Sequence, residues 1–84
     1  MTLEEVHNWC RGNGVDARGI YRGKDFVIRG NEALVTETLP SLGEVFHWDV
    51  QIDGKHYPVS PSDMGRLVTG KMSLEAFKGT HRGG

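Results

Sequence analysis

The chain has a single cysteine, three prolines and no long apolar run. Cys10 has no second thiol to pair with, so neither an intramolecular disulfide nor a cysteine-rich zinc site can hold the fold. No stretch approaches the ~18 consecutive apolar residues of a membrane-spanning helix. The first residues, MTLEEVHNW, are acidic where a secretory leader is basic. These absences point to a cytoplasmic protein. Positive charge is not in excess either: the net charge is −1, which excludes a generally basic nucleic-acid binder. Cations are missing altogether from 32–53, where Glu32, Glu37, Glu44, Asp49 and Asp53 stand without a lysine or arginine.

What is present is organised around Val45–Ser60, VFHWDVQIDGKHYPVS. Phe46, Trp48, Val50 and Ile52 alternate with His47, Asp49 and Gln51, the period of a half-buried strand. Asp53-Gly54 follows, and that dipeptide suits a type I′ turn because both central residues need a positive φ. Folding there pairs Ile52 with Lys55, Gln51 with His56, Val50 with Tyr57 and Trp48 with Val59. Trp48, Val50, Tyr57 and Val59 then share one face. A slip of one residue would bury the polar set, so turn and pattern set the same register.

Helices are expected at both ends. Thr2-Leu3-Glu4-Glu5 reads as a capping box, with Leu3, Val6 and Cys10 on one stripe and Gly12-Asn13-Gly14 as the stop. Ser60-Pro61-Ser62-Asp63 reads as an N-cap with proline in the first turn, followed by Met64, Leu67 and Val68. Ser73 caps a last segment that packs Leu74 and Phe77. Between them, Gly19–Arg22 and Asp25–Arg29 read as strands around a turn at Gly23-Lys24. A further hairpin at Gly30-Asn31 leads into a strand Glu32–Glu37, with Asn31 capping a short helix as the competing reading. The expectation is one α+β domain over 1–78, with a mobile tail at 79–84. It comprises a short N-terminal helix, an antiparallel meander of three to five strands with the Asp53-Gly54 hairpin at its centre, and a C-terminal helical segment packed on one face. At 84 residues such a domain buries only roughly 60% of its unfolded surface.

Few residues suggest chemistry. Gly65 to Lys71 has the spacing of a P-loop, but Met72 stands where the metal-binding Ser or Thr belongs, and Gly65 falls inside an expected helix. His47, Asp49 and His56 share the polar face of the central hairpin without a third strong ligand. Cys10 and His7 lie one helical turn apart, with no acid to orient the histidine and no oxyanion donor. No catalytic residue, metal site or cofactor is therefore expected, and the chain reads as a non-enzyme.

Two binding modes lead, ahead of a third in which exposed strand edges make the chain a component of an oligomer. The first is a small protein-binding module that inhibits or regulates a larger complex, as phage-encoded proteins directed against host or defence systems do. Its acidic strands, through Glu37, Glu44 and Asp49, would meet a basic groove, including one that normally holds nucleic acid. The alternative is a nucleic-acid-binding regulator using the 11–29 segment, where Arg18, Arg22, Lys24 and Arg29 surround Tyr21.

Overall fold

The first helix, α1 (Leu3–Asn13), starts because Thr2 and Glu5 satisfy each other's orphan amides. The Glu5 N–H donates to Thr2 Oγ1 at 3.1 Å, and the Thr2 N–H donates to Glu5 Oε1 at 3.0 Å. It stops at Gly14, whose φ of 65° turns the chain away, and the Val15 N–H then donates to the Cys10 carbonyl at 3.0 Å. Val6, His7 and Cys10 form its buried stripe.

In this computed structural model, which describes residues 2–33 and 42–80, α1 is followed by β1 (Asp16–Tyr21) and β2 (Lys24–Arg29). After a 3₁₀ turn at Leu42–Glu44 come β3 (His47–Ile52), β4 (Lys55–Val59), α2 (Pro61–Val68) and α3 (Leu74–Thr80). The four strands form one antiparallel sheet in the order β2-β1-β3-β4. The domain is α+β with the expected helices at each end of the chain. The meander is refined in one respect: the sheet is two hairpins joined edge to edge through β1 and β3, so β3 lies beside β1 rather than β2.

The central hairpin has the register set by its alternation, with Trp48 opposite Val59, Val50 opposite Tyr57 and Ile52 opposite Lys55. Asp53 and Gly54 both have positive φ, 50° and 79°. The first hairpin repeats this design with Arg22 at 50° and Gly23 at 78°, so its turn lies one residue earlier than Gly23-Lys24. Glycine in the second central position is what the two turns share. Beyond β2, Glu32 and Ala33 lie outside the strands: the Glu32 N–H donates to the Arg29 carbonyl at 3.4 Å, which turns the chain away after Gly30. The rest of the strand expected at Glu32–Glu37 lies outside the described residues, as does most of its helical alternative.

All three helices pack on one side of the sheet. There Ala17, Ile28, Trp48, Val50, Ile52, Tyr57 and Val59 meet Val6, Cys10, Met64, Leu67 and Phe77 in one buried cluster. Gly19 sits opposite Phe26 on one side and Trp48 on the other. Those two rings meet edge to face over it, with centroids 5.6 Å apart and planes at 88°. A Cβ on Gly19 would come within 2.5 Å of the Phe26 ring, so the missing side chain makes room for the aromatic pair.

Ser60 caps α2, accepting from the Asp63 N–H at 3.2 Å, with Pro61 as its first residue. Gly65 lies inside α2 and Gly70 follows it at a φ of 80°, so the P-loop-like spacing has no strand–loop–helix setting. Ser73 Oγ accepts from the Ala76 N–H at 3.1 Å and starts α3. That helix runs through Thr80, two residues past the expected end of the domain at 78, and the rest of the tail lies outside the described residues.

Candidate functional site

The face of the sheet away from the helices is open. Its outward residues fall into three rows read across the strands: Arg29, Asp16, Gln51 and His56; Val27, Arg18, Asp49 and Pro58; and Asp25, Ile20 and His47. Charged residues of both signs, Arg18 and Asp49, hold its centre, with exposed aliphatic side chains beside them: Ile20, 44% exposed, in the end row and Val27, 38% exposed, on the edge strand. On this face Asp49 Oδ2 takes a 2.7 Å hydrogen bond with His56 Nδ1.

At one end of this face stands Phe46, 70% exposed. Alternation alone places it inside with Trp48, but β3 begins only at His47, and Val45 takes the buried position where the chain leaves the 3₁₀ turn. Phe46 lines a shallow concavity of about 450 Å³ with Ile20, Arg22, Glu44 and His47. A second concavity, of about 390 Å³, continues from Ile20 and His47 towards Arg18 and Asp49. Exposed phenylalanine is the least compatible with water of all these groups, and only its place before the strand would have revealed it in the sequence.

The residues expected to bind are not all brought together. Of the acidic set, Asp49 lies on the open face and Glu44 at the Phe46 end, where its Oε2 is 3.6 Å from Arg22 Nε. Glu37 is outside the described residues. Of the basic set, Arg18 and Arg29 project from the open face, while Tyr21 and Lys24, opposite each other in register, alternate to the other side. Arg22 sits in the turn with its guanidinium 5.4 Å from the centroid of the Tyr21 ring. Enclosure of the Tyr21 hydroxyl and the Glu44 carboxylate beside it push that phenol above its ordinary value, against the opposing pull of Arg22. Tyr21 is thus already covered by its own arginine rather than presented as a free stacking platform.

Nucleophilic chemistry has little to work with. Cys10 is fully buried, and desolvation, helped by Asp16 and opposed by a backbone hydrogen bond at Ala17, pushes its thiol up to about 12. His7 Nε2 lies 2.8 Å from the Glu32 carbonyl oxygen, which can only accept, so His7 donates there and ties α1 to the end of the first hairpin. A thiol-alkylating reagent is therefore expected to leave Cys10 unmodified in the native protein over hours, and to label it fully in denaturant. Intact-mass measurement checks this, and rapid stoichiometric labelling of folded protein would contradict it. Among the described residues, no group of three or more His, Cys, Asp or Glu side chains could hold a metal ion.

What the geometry offers is a surface: an exposed aromatic and two aliphatic side chains set among charges, on a four-stranded sheet. Compared with known proteins, the chain matches no family model, no curated protein and no solved structure, so its functional reading rests on this surface.

Proposed function

We propose that the chain is a non-catalytic protein-binding module that inhibits or regulates a larger protein or complex by covering part of its surface. One observation carries this reading: Phe46, 70% exposed, stands beside Ile20 at the end of the helix-free face of the sheet. A large apolar side chain held by rigid neighbours is the usual anchor of a protein interface, with polar groups around it to fix orientation. Glu44, already 3.6 Å from Arg22, and Asp49, already bonded to His56, supply carboxylates to a partner's cations by sharing or exchanging those contacts. The buried thiol needs no oxidising compartment, which fits a partner in the cytoplasm.

Nucleic acid is less well supported by the same surface. Arg22 is paired with Glu44 and Arg29 lies 4.0 Å from Glu32, so two of the four cations in the proposed patch are partly neutralised by the chain itself. The remaining two, Arg18 and Lys24, alternate to opposite faces.

Affinity capture from lysate, with and without nuclease, tests the reading. Recovery of a protein partner should survive nuclease. The Phe46→Ser variant should lose about 30-fold in affinity, as for an interface anchor. Its thermal midpoint should stay nearly unchanged, because an exposed side chain contributes within about 0.5 kcal/mol to folding. Capture that vanishes with nuclease, or that is indifferent to Phe46→Ser, would overturn it.

A further inference from the structure

We infer that the open sheet face is a self-association surface and that its occupant is a second copy of this chain. The inference rests on how charges are arranged in the three rows. Place a twofold axis parallel to the strands, above the open face and over the line midway between β1 and β3. Each row then meets the same row of the second copy, with β1 lying over β3 and β2 over β4. Arg18 faces Asp49 of the second copy, and Asp49 faces its Arg18, giving two equivalent ion pairs in the central row. In the same row Val27 meets Pro58 twice. Ile20 lies over His47, and Asp16 over Gln51, whose amide can donate to it. No carboxylate meets a carboxylate.

The chain leaves these groups available. Among the described residues Arg18 has no ion pair, although Asp49 is its neighbour across the strands. Asp49 holds His56 through Oδ2, which leaves Oδ1 to accept from a guanidinium. Sheets packed face to face cross at roughly 30°, and Arg18 and Asp49, at the centre of the face, are the residues such a rotation displaces least.

Size sets the strength. Four strands ~4.8 Å apart and six residues rising ~3.3 Å each give a footprint of roughly 400 Å² per copy. Stable interfaces bury about 800 Å² per partner, so this dimer is weak and forms reversibly as concentration rises. The axis keeps both Phe46 ends on the same side, while Ile20 and Asp49 are covered, so the dimer and a partner bound across this face exclude each other. That competition rests on the proposed binding function, whereas the self-association does not.

Sedimentation of the purified full chain, from about 5 µM to about 1 mM, reads the association directly. The weight-average mass is expected to rise from 9.3 kDa towards twice that value. Arg18→Asp and Asp49→Arg should each weaken association at least about tenfold, because each sets like charges face to face. The double variant restores both pairs and should return to within about threefold of the parent. Val27→Lys, on the edge strand β2, offers a second disruption, and thermal midpoints read alongside separate lost association from lost folding. A mass that stays at 9.3 kDa throughout, reversals without effect in folded protein, or a double variant as weak as the singles would overturn the inference. Partner capture is scored separately, so a monomer that still binds through Phe46 would sink the dimer alone.

Discussion

Replacing Gly30 with alanine is expected to destabilise the chain by about 3 kcal/mol, a large fraction of the margin available to a domain of this size. Gly30 passes beneath the last turn of α1. A Cβ there would lie 2.6 Å from both the carbonyl carbon and oxygen of Cys10 and 2.8 Å from the Val15 carbonyl oxygen. These are backbone atoms at the helix terminus, where Cys10 O accepts from the Val15 N–H, so no flexible side chain can yield. Either α1 lifts from the sheet or β2 shifts away from Asp16, whose Oδ1 lies 3.4 Å from the Gly30 nitrogen. Thermal or urea unfolding measures the loss, which corresponds to a fall in Tm of roughly 15 °C or more. Gly12→Ala is the control, because nothing lies within 4 Å of its added Cβ and it sits inside α1. There the helix propensity of alanine should add about 0.5–1 kcal/mol. Opposite signs for the two alanines identify the close approach as the cause. Equal, small effects would show that α1 and β2 adjust freely.

The second large effect is expected for Phe77→Ala, at about 3–5 kcal/mol. Phe77 is fully buried, and its ring lies 5.9 Å from that of Tyr57, tilted at 59°. Among the described side chains of α3 it is the one that is fully enclosed, and a helix of seven residues is too short to be stable without docking. Truncation removes the anchor and leaves a void against Tyr57, and the loss should appear in one cooperative transition. Leu74→Ala, at a partly buried position of the same helix, should cost about 1 kcal/mol. A Phe77→Ala cost below about 1 kcal/mol would mean that α3 is held by other contacts.

These two positions differ in how readily the sequence shows them. Phe77 stands three residues after Leu74 behind a serine cap, and helical spacing suffices to place it inside. Gly30 reads as a turn glycine, and nothing local shows that a helix terminus lies against it. The same division runs through the fold. Asp53-Gly54, the Thr2 capping box and Ser60-Pro61 are legible because each is satisfied within a few residues of chain. The junction of β1 with β3 is not, because it depends on two aromatic rings from different hairpins filling the space over Gly19.

The candidate surface was the least legible part. Ile20 and Val27 look like core residues by composition, and only the packing of every helix on the opposite face leaves them open. Phe46 follows the alternation that buries Trp48 and Val50, but it precedes the strand. The cations of 11–29, near one another in sequence, are split between the open face for Arg18 and Arg29, the opposite face for Lys24 and a turn for Arg22, and Arg29 and Arg22 lie beside Glu32 and Glu44.

The two-hairpin construction also governs the order in which the sheet can assemble. Each hairpin closes on a two-residue turn and needs only neighbouring chain, so each forms on the microsecond scale of local structure. Joining them is a different event, since β1 and β3 are separated by all of β2 and the connection after it. Closing that loop costs entropy that no local contact offsets until β1 pairs with β3 and Phe26 meets Trp48 over Gly19. The barrier to folding therefore lies at a seam with a glycine at its centre. Substitutions there slow folding, while those in the turns leave the seam's barrier largely untouched.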